Sequence, residues 1–160
     1  MKIKNLYLPQ SVKIKKIESL SANVKLFRLK KRLDFIPGQF ILAGLWGFGE
    51  APFGIASSPL EKRYLDLMVR KTGMVSAALH TLKAGDEITI RGPYGNGFPL
   101  NFFEGKDIVM VSGGCGIPPI ASLIEHFIKN REKFGRIYLL YGAATPNDIL
   151  IQKKINQWQK

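Results

Sequence analysis

The sequence predicts a β plus α/β protein, with an antiparallel β-barrel over residues 1–104 and part of a doubly wound parallel α/β unit over residues 105–160. Up to about residue 103, apolar residues occur in short runs separated by Gly and Pro, which is typical of antiparallel strands. After that point the apolar runs are continuous, as in the buried strands of a parallel sheet. Each later run precedes a segment of helical periodicity, so strands and helices alternate.

Six runs in the first part are predicted to be strands: SVKIKKIESL, NVKLFRLK, QFILAGLW, FGIAS, YLDLMVR and EITIRG. Turn residues between them include Pro37-Gly38 and Gly92-Pro93. The segment MVSAALHTLK has apolar residues three or four positions apart and predicts one helix among the strands. Short strands at this spacing form a barrel or a sandwich.

The second part predicts strand, helix, strand and helix in turn. DIVMVS is the first strand, and Pro118 suits the first turn of the helix after it. The stripe that this helix is expected to bury consists of Ile120, Leu123, Ile124, Phe127 and Ile128. RIYLLYG is the second strand. The segment TPND, residues 145–148, predicts the start of the next helix, with a hydroxyl cap and a proline at its first position.

Composition narrows the class of protein. The 160 residues are 46% hydrophobic and 22% charged, which is enough apolar material for a soluble folded core. No apolar run reaches the roughly 18 residues of a membrane span, and the N-terminus lacks the apolar stretch of a signal peptide, so we expect a cytoplasmic protein. One cysteine excludes an internal disulfide and cannot ligate a zinc ion or an iron–sulfur cluster alone, so no metal is expected in this chain.

The net charge of +12 could indicate nucleic-acid binding. Much of it lies before Asp34, from Lys2 and Lys4 onward, where Glu18 is the one acid. The basic residues alternate with apolar ones such as Val12, as on the solvent face of half-buried strands, and no aromatic platform accompanies them. We therefore expect solvated strand faces, or a docking surface for an acidic protein partner, rather than a nucleic-acid site.

The stretch VSGGCGIPP, residues 111–119, joins the strand DIVMVS to the predicted helix. Ligands of doubly wound sheets lie beyond the carboxyl ends of the strands, and glycines such as Gly114 and Gly116 allow the backbone to approach them closely. A tight strand-to-helix turn accounts for the same residues equally well. Residues 73–76, GMVS, similarly open the helix in the barrel, where free N–H groups suit a phosphate.

In this order the motifs PGQF, APFGIASSP, GMVS, GPYGNGF, GGCGIPP and YGAATPNDIL resemble the ferredoxin–NADP reductase superfamily. Within it, the likeness is to the flavin subunits of sulfhydrogenases and anaerobic sulfite reductases and to the electron-transfer subunit of dihydroorotate dehydrogenase. The resemblance implies a barrel that binds FAD, in preference to FMN, and a second unit that binds NAD(P)H. It also implies an oxidoreductase subunit that passes electrons from NAD(P)H through the flavin to an iron–sulfur or other redox partner.

The resemblance implies three groups of site residues. The group along the flavin ring is Phe53, Gly54, Ile55, Ala56 and Ser57. The group at the flavin phosphates is Gly73, Val75 and Ser76. The group at the nicotinamide nucleotide is Gly114, Cys115, Gly116, Pro118, Tyr141, Gly142 and Ala143.

Cys115 is the candidate catalytic residue, because the resemblance places it where nicotinamide and flavin meet. A thiol in a glycine turn at a helix start is predicted to favour the thiolate. Bound NAD(P)H is then expected to slow its alkylation.

Residues 51–54, Ala-Pro-Phe-Gly, depart from the family pattern Arg-Pro-Tyr-Ser at three positions, of which Phe53 keeps the aromatic ring. Ala51 removes an arginine that clamps the flavin pyrophosphate, a charge-assisted contact of about 1.5–3 kcal/mol, and Arg70 is the candidate substitute. Gly54 removes a hydroxyl near the flavin N5. These losses leave a second hypothesis open, a non-catalytic subunit that keeps the fold for docking.

The two parallel strands are apolar on both faces, so both faces need cover. We therefore expect that residues 105–160 do not stand alone. Either the chain belongs to a longer protein or a partner subunit, which would also carry the iron–sulfur centre, adds strands to the sheet.

Overall fold

The computed structural model describes Asn5 and residues 7–159, so Lys2 and Lys4 of the basic run lie outside the described residues. The elements of the first part are β1 (Gln10–Ser19), β2 (Val24–Leu29), β3 (Phe40–Leu45), β4 (Gly49–Gly54), β5 (Leu65–Arg70), α1 (Met74–His80) and β6 (Glu87–Tyr94). Those of the second part are β7 (Ile108–Gly113), α2 (Ile117–Lys129), β8 (Ile137–Gly142) and α3 (Gln152–Trp158). This order confirms the predicted fold class.

The strands of the first part form one antiparallel sheet in the order β4-β3-β6-β1-β2-β5. A bridge between Ile55 and Leu67 connects the two edges of the sheet, which curls into a barrel that is not fully closed. Inside it lies an apolar core whose largest buried side chains include Ile14, Phe27, Leu29, Ile41, Leu67 and Leu79. Among the described residues, the β4 strand pairs along its length only with β3, which leaves its other edge open to a ligand.

The lysines of β1 lie on the solvent face, as the alternation predicts. Val12 and Ile14 are 5% and 1% exposed, whereas Lys13 and Lys15 are exposed. A bulge follows Ile14 in the pairing with β2, and it shifts the alternation by one residue so that Ile17 packs against the core.

The predicted strand FGIAS lies too far along the chain. A tight turn, closed by the bond from the Phe48 N–H to the Leu45 carbonyl, starts β4 at Gly49 instead. After Gly54 the chain leaves β3 and crosses to β5, where the Ala56 N–H donates to the Asp66 carbonyl at 2.9 Å. Hairpin geometry, which the apolar pattern does not encode, therefore sets this strand.

Strands β7 and β8 pair in parallel, in register from Ile108 with Ile137 to Gly113 with Gly142. Helix α2 covers one face of the pair and buries Leu123, Ile124 and Phe127. The opposite face, here called the outer face, consists of Val109, Val111, Tyr138 and Leu140, which are 47–73% exposed. No helix in the described part of the chain is long and apolar enough to cross a membrane.

The predicted buried stripe of α2 is partly wrong. Ile128 is 45% exposed, whereas Ile117 and Ala121, on another side of the helix, are fully buried. These two residues contact the barrel in a shared apolar group, here called the interface cluster: Val24, Ala56, Met68, Ile117, Ala121, Leu150 and Ile151. The helix thus packs against both the sheet and the barrel.

The predicted helix start at TPND is also wrong. Residues Pro146–Asp148 form only a 3₁₀ turn, and α3 begins at Gln152. Leu150 and Ile151 lie in the interface cluster, at 4% and 7% exposure, and their burial holds the chain in a non-helical path between the two elements.

Candidate cofactor site

Segments from both parts of the chain meet at their interface. A β-carbon placed on Gly54, at the end of β4, would lie 3.1 Å from Cδ of Pro119 in α2. A β-carbon on Gly114 would lie 3.0 Å from Nη2 of Arg70, at the end of β5. The structure therefore brings the flavin-strand and nucleotide-turn candidates together, and it adds Pro119, which the sequence patterns do not single out because the contact spans the two units.

The glycine turn is a 3₁₀ turn of residues Gly114–Gly116, with Gly114 in the left-handed region at φ +46°. The Tyr141 hydroxyl donates to the Gly114 carbonyl at 3.0 Å and accepts from the Leu150 N–H at 3.4 Å. Burial raises the pKa of Tyr141, so the phenol stays protonated and keeps donating. Tyr141 thus fastens the turn to the end of β8, while Gly116 and Gly142 remain exposed.

The start of α2 is poor in hydrogen-bond donors. Its first residue is Ile117, and Pro118 and Pro119 follow it. Prolines carry no N–H, so two of the free donors that usually open a helix are missing. The turn therefore offers a ligand mainly glycine backbone and the apolar surface of Pro119, because the side chain of the predicted site residue Pro118 is buried.

Cys115 is half-buried, with the Arg70 guanidinium beside its sulfur. Burial raises the pKa of the Cys115 thiol, and the charge and hydrogen bond of Arg70 oppose this only in part. The predicted preference for thiolate is therefore wrong, because loss of solvation outweighs the nearby cation. Arg70 is the predicted substitute for the arginine that is missing at position 51. In the structure its guanidinium lies against Gly114 of the glycine turn.

The flavin-strand candidates differ in access. The side chains of Ile55, Ala56 and Ser57 are at most 1% exposed, and the Ser57 hydroxyl accepts from the Asp66 N–H at 3.3 Å. They could meet a ligand only through their backbone. Phe53 and Gly54 are partly exposed, beside the open edge of β4. A flat polar ring system fits such an edge, because the outward N–H and C=O groups of a strand can pair with it.

At the start of α1, the Ser76 hydroxyl accepts from the N–H groups of Thr72 and Gly73, both at 2.9 Å, and donates to the Gly73 carbonyl at 3.0 Å. Ser76 is only 6% exposed, and its hydroxyl is already used in these three hydrogen bonds. The space around Gly73 is open, and the N–H groups of Met74 and Val75 precede the first intrahelical bond. A phosphate would therefore meet backbone here.

Comparison with known families gives two matches in chain order. Residues 11–98 match the model of the oxidoreductase FAD-binding domain, and residues 110–160 match that of the oxidoreductase NAD-binding domain.

Curated relatives include sulfhydrogenase 1 subunit gamma of Pyrococcus furiosus, which is 38% identical over 94% of this chain and 54% of its own length. Another is "Probable dihydroorotate dehydrogenase B (NAD(+)), electron transfer subunit" of the same organism, 39% identical over 92% of this chain and 54% of its own length. The chain spans about half the length of these relatives.

Solved structures show the same fold at low identity. Ferredoxin-NADP+ reductase from Plasmodium falciparum superposes with a TM-score of 0.83 at 18% identity, over 94% of this chain and 65% of that one. A ferredoxin NADP+ reductase from Neisseria gonorrhoeae, solved with bound FAD and NADP, gives 0.80 at 23% identity, over 93% and 63%. Because the FAD-binding family model alone matches more than half of the chain, the chain belongs to the family of the oxidoreductase FAD-binding domain, here followed by a match to the oxidoreductase NAD-binding domain. Its fold is that of the ferredoxin–NADP reductases.

Proposed function

We propose that this chain carries electrons between NAD(P)H and an iron–sulfur or other redox protein, through FAD held where the barrel meets the α/β unit. The observation that carries this proposal is the contact of the β4 end with α2 and of Arg70 with the glycine turn. These contacts bring the candidate flavin strand and the candidate nucleotide turn to one place. The family matches name FAD-binding and NAD-binding domains in the same order.

FAD fits the barrel side in two places. The open edge of β4 and the ring of Phe53 suit the isoalloxazine, and the backbone at Gly73 and Val75 suits the pyrophosphate. When bound, FAD supplies two-electron exchange with a nicotinamide and one-electron exchange with a metal centre. The chain itself contributes position and exclusion of water, through the buried residues Ile55 to Ser57 beneath the site.

The nicotinamide nucleotide is proposed to lie over the partly exposed Gly114 and the exposed Gly116 and Gly142. The partly exposed Pro119 of α2 offers apolar contact, and Arg70 supplies a cation for a phosphate or carboxamide oxygen. Cys115 and Ala143 border this surface. Cys115 contacts the nucleotide as a protonated thiol.

A redox protein is the proposed acceptor or donor. The relatives are named as a sulfhydrogenase subunit and as an electron transfer subunit. The net charge of +12 suits an acidic partner surface, since complementary charge steers association.

An absorption spectrum of the purified full chain, with acid release and identification of the flavin, tests the proposal. A yellow protein that is bleached by NADH or NADPH supports electron transfer. A colourless chain that binds no added FAD would instead favour the docking subunit, which the alanine at position 51 permits.

Restoring the family arginine gives a quantitative test. Ala51 lies partly exposed on β4, and Ala51→Arg should tighten FAD binding roughly ten- to a hundredfold by adding a charge-assisted hydrogen bond to the pyrophosphate. The measurement is the FAD dissociation constant from flavin fluorescence. Ala84→Arg, on an exposed turn, adds the same charge and should leave the constant unchanged. An unchanged constant in Ala51→Arg would show that β4 is not aligned with the flavin strand of the family.

A further inference from the structure

Gly54 touches the α/β unit more closely than a side chain would allow. A β-carbon at this position would lie 3.1 Å from Cδ and 3.7 Å from Cγ of Pro119, and 3.8 Å from Cβ of Pro118. Ordinary contacts between such carbons begin near 3.5 Å. Any residue other than glycine would therefore press against the first turn of α2.

Neither side of this contact can yield by turning a side chain. The ring of Pro119 is closed on its own backbone and has no rotamers that would clear the space. Below it, Ile117 and Ala121 are fully buried in the interface cluster. On the barrel side, Ile55 is fully buried and Ala56 is 1% exposed. Added volume at position 54 would therefore shift α2 and its glycine turn away from β4.

We propose that Gly54 is a positioning residue that seats α2 against the flavin strand and so fixes the separation of nicotinamide and flavin. This inference rests on the proposed function. From the sequence alone, Gly54 represents only the loss of a hydroxyl near the flavin N5, whereas the structure gives the glycine a role in packing. In this chain, the first turn of α2 occupies the space that a side chain at position 54 would need.

The reaction makes this separation matter. The reduced nicotinamide gives up one hydrogen with two electrons and is oxidised, and the flavin takes up that hydrogen with both electrons. Such a transfer needs reacting atoms about 3–3.5 Å apart, and a misplacement of about 1 Å can cost roughly a hundredfold in rate. A shift of a few tenths of an ångström should thus slow the transfer several-fold while FAD stays bound.

The test uses the full chain with FAD and three variants: Gly54→Ala, Gly54→Ser and the double variant Gly54→Ala with Pro119→Ala. Anaerobic stopped-flow absorbance measures flavin reduction at saturating NADH or NADPH. Both single variants should react about five- to twentyfold more slowly, with FAD dissociation constants within about twofold of wild type. Removing Cγ and Cδ of Pro119 should restore most of the rate in the double variant.

Two outcomes would overturn the proposal. One is a Gly54→Ser variant whose flavin is reduced as fast as in wild type or faster. That result would show that a hydroxyl at position 54 matters more than the contact with Pro119. The other is a slow Gly54→Ala variant that Pro119→Ala does not rescue, which would place the cause elsewhere.

If the wild-type chain binds no flavin, or nucleotide does not reduce it, the proposed function fails and amide exchange in residues 120–123 of α2 decides the positioning role separately. Faster exchange in Gly54→Ala that the double variant reverses supports the seating of α2 on Gly54. Unchanged exchange overturns it.

Discussion

At the scale of single residues, Cys115 shows how packing reverses an expectation drawn from local sequence. A glycine turn before a helix suggests an activated thiolate, and Arg70 does supply a cation beside the sulfur. The thiol is nevertheless half-buried, and burial raises its pKa above the ordinary value of 9.0. A raised pKa means that the folded state favours the thiol, so this contribution to stability is present below pH 9.0 and is lost as the pH rises through the folded pKa.

We expect the rate of Cys115 alkylation by iodoacetamide to rise with pH along a curve whose apparent pKa exceeds 9.0. Arg70→Gln should move that pKa higher still, because it removes the opposing cation. Lys71→Gln, which removes the adjacent exposed charge, should leave it unchanged. An apparent pKa below 9.0 would restore the activated thiolate. Equal alkylation rates with and without saturating NAD(P)H would separate Cys115 from the nucleotide site.

At the scale of elements, an ion pair joins β2 to β5 beneath the candidate flavin strand. Nε and Nη2 of Arg28 each donate to a different carboxylate oxygen of Asp66 at 2.8 Å, and the guanidinium stacks 3.7 Å from the centre of the Tyr64 ring. The hydrogen bond to Asp66 raises the pKa of Arg28 further. Because the Asp66 backbone also bonds Ala56 and Ser57, the pair helps to hold the chain where it leaves β4.

Arg28→Gln should lower the free energy of unfolding by about 3 kcal/mol, because the Asp66 side chain, 3% exposed, would be left as a buried charge without its partner. Urea unfolding followed by circular dichroism measures this change. Arg32→Gln breaks an exposed pair with Asp34 at 3.3 Å and should have no measurable effect. Equal stability of the two variants would show that the Arg28–Asp66 pair does not stabilise the barrel.

At the scale of the whole molecule, the outer face exposes large apolar side chains to solvent. Val109, Val111, Tyr138 and Leu140 are exposed in adjacent positions of β7 and β8. A cavity of about 850 Å³ beside β8, bordered by Ile124, Ile155 and Trp158, adds further open apolar surface. Exposed apolar patches of this kind promote association. The expectation that another segment or a partner covers these strands stays a prediction.

Replacing two outer-face residues, Val111→Lys with Leu140→Glu, should reduce self-association of the chain without lowering its stability, because both side chains already lie in solvent and the two opposite charges face each other across the paired strands. Light scattering over a concentration series measures association, and thermal unfolding measures stability. Met110→Glu, on the buried face of the same strand at 5% exposure, should destabilise the fold strongly. Self-association that persists in the double variant would place the contact on another surface.

The sequence by itself determined most of the elements and their order. The alternation of lysines with Val12 and Ile14 placed β1, and the switch from broken to continuous apolar runs separated the barrel from the parallel strands. Such patterns are local, since each element must turn its apolar residues to one side. The ordered motifs likewise indicated an FAD-binding and an NAD-binding oxidoreductase domain, and the family models confirm both.

The tertiary structure alone decided how the two parts meet. Because Leu150 is buried at the interface, α3 begins only at Gln152, and the turn before Gly49 sets where β4 begins. The contact of Gly54 with Pro119 and the burial of Cys115 arise between residues that lie far apart in sequence or face the interface. Periodicity within one element reports which side is apolar, but not which surface covers it, and that surface sets the access and the pKa of the groups at the site.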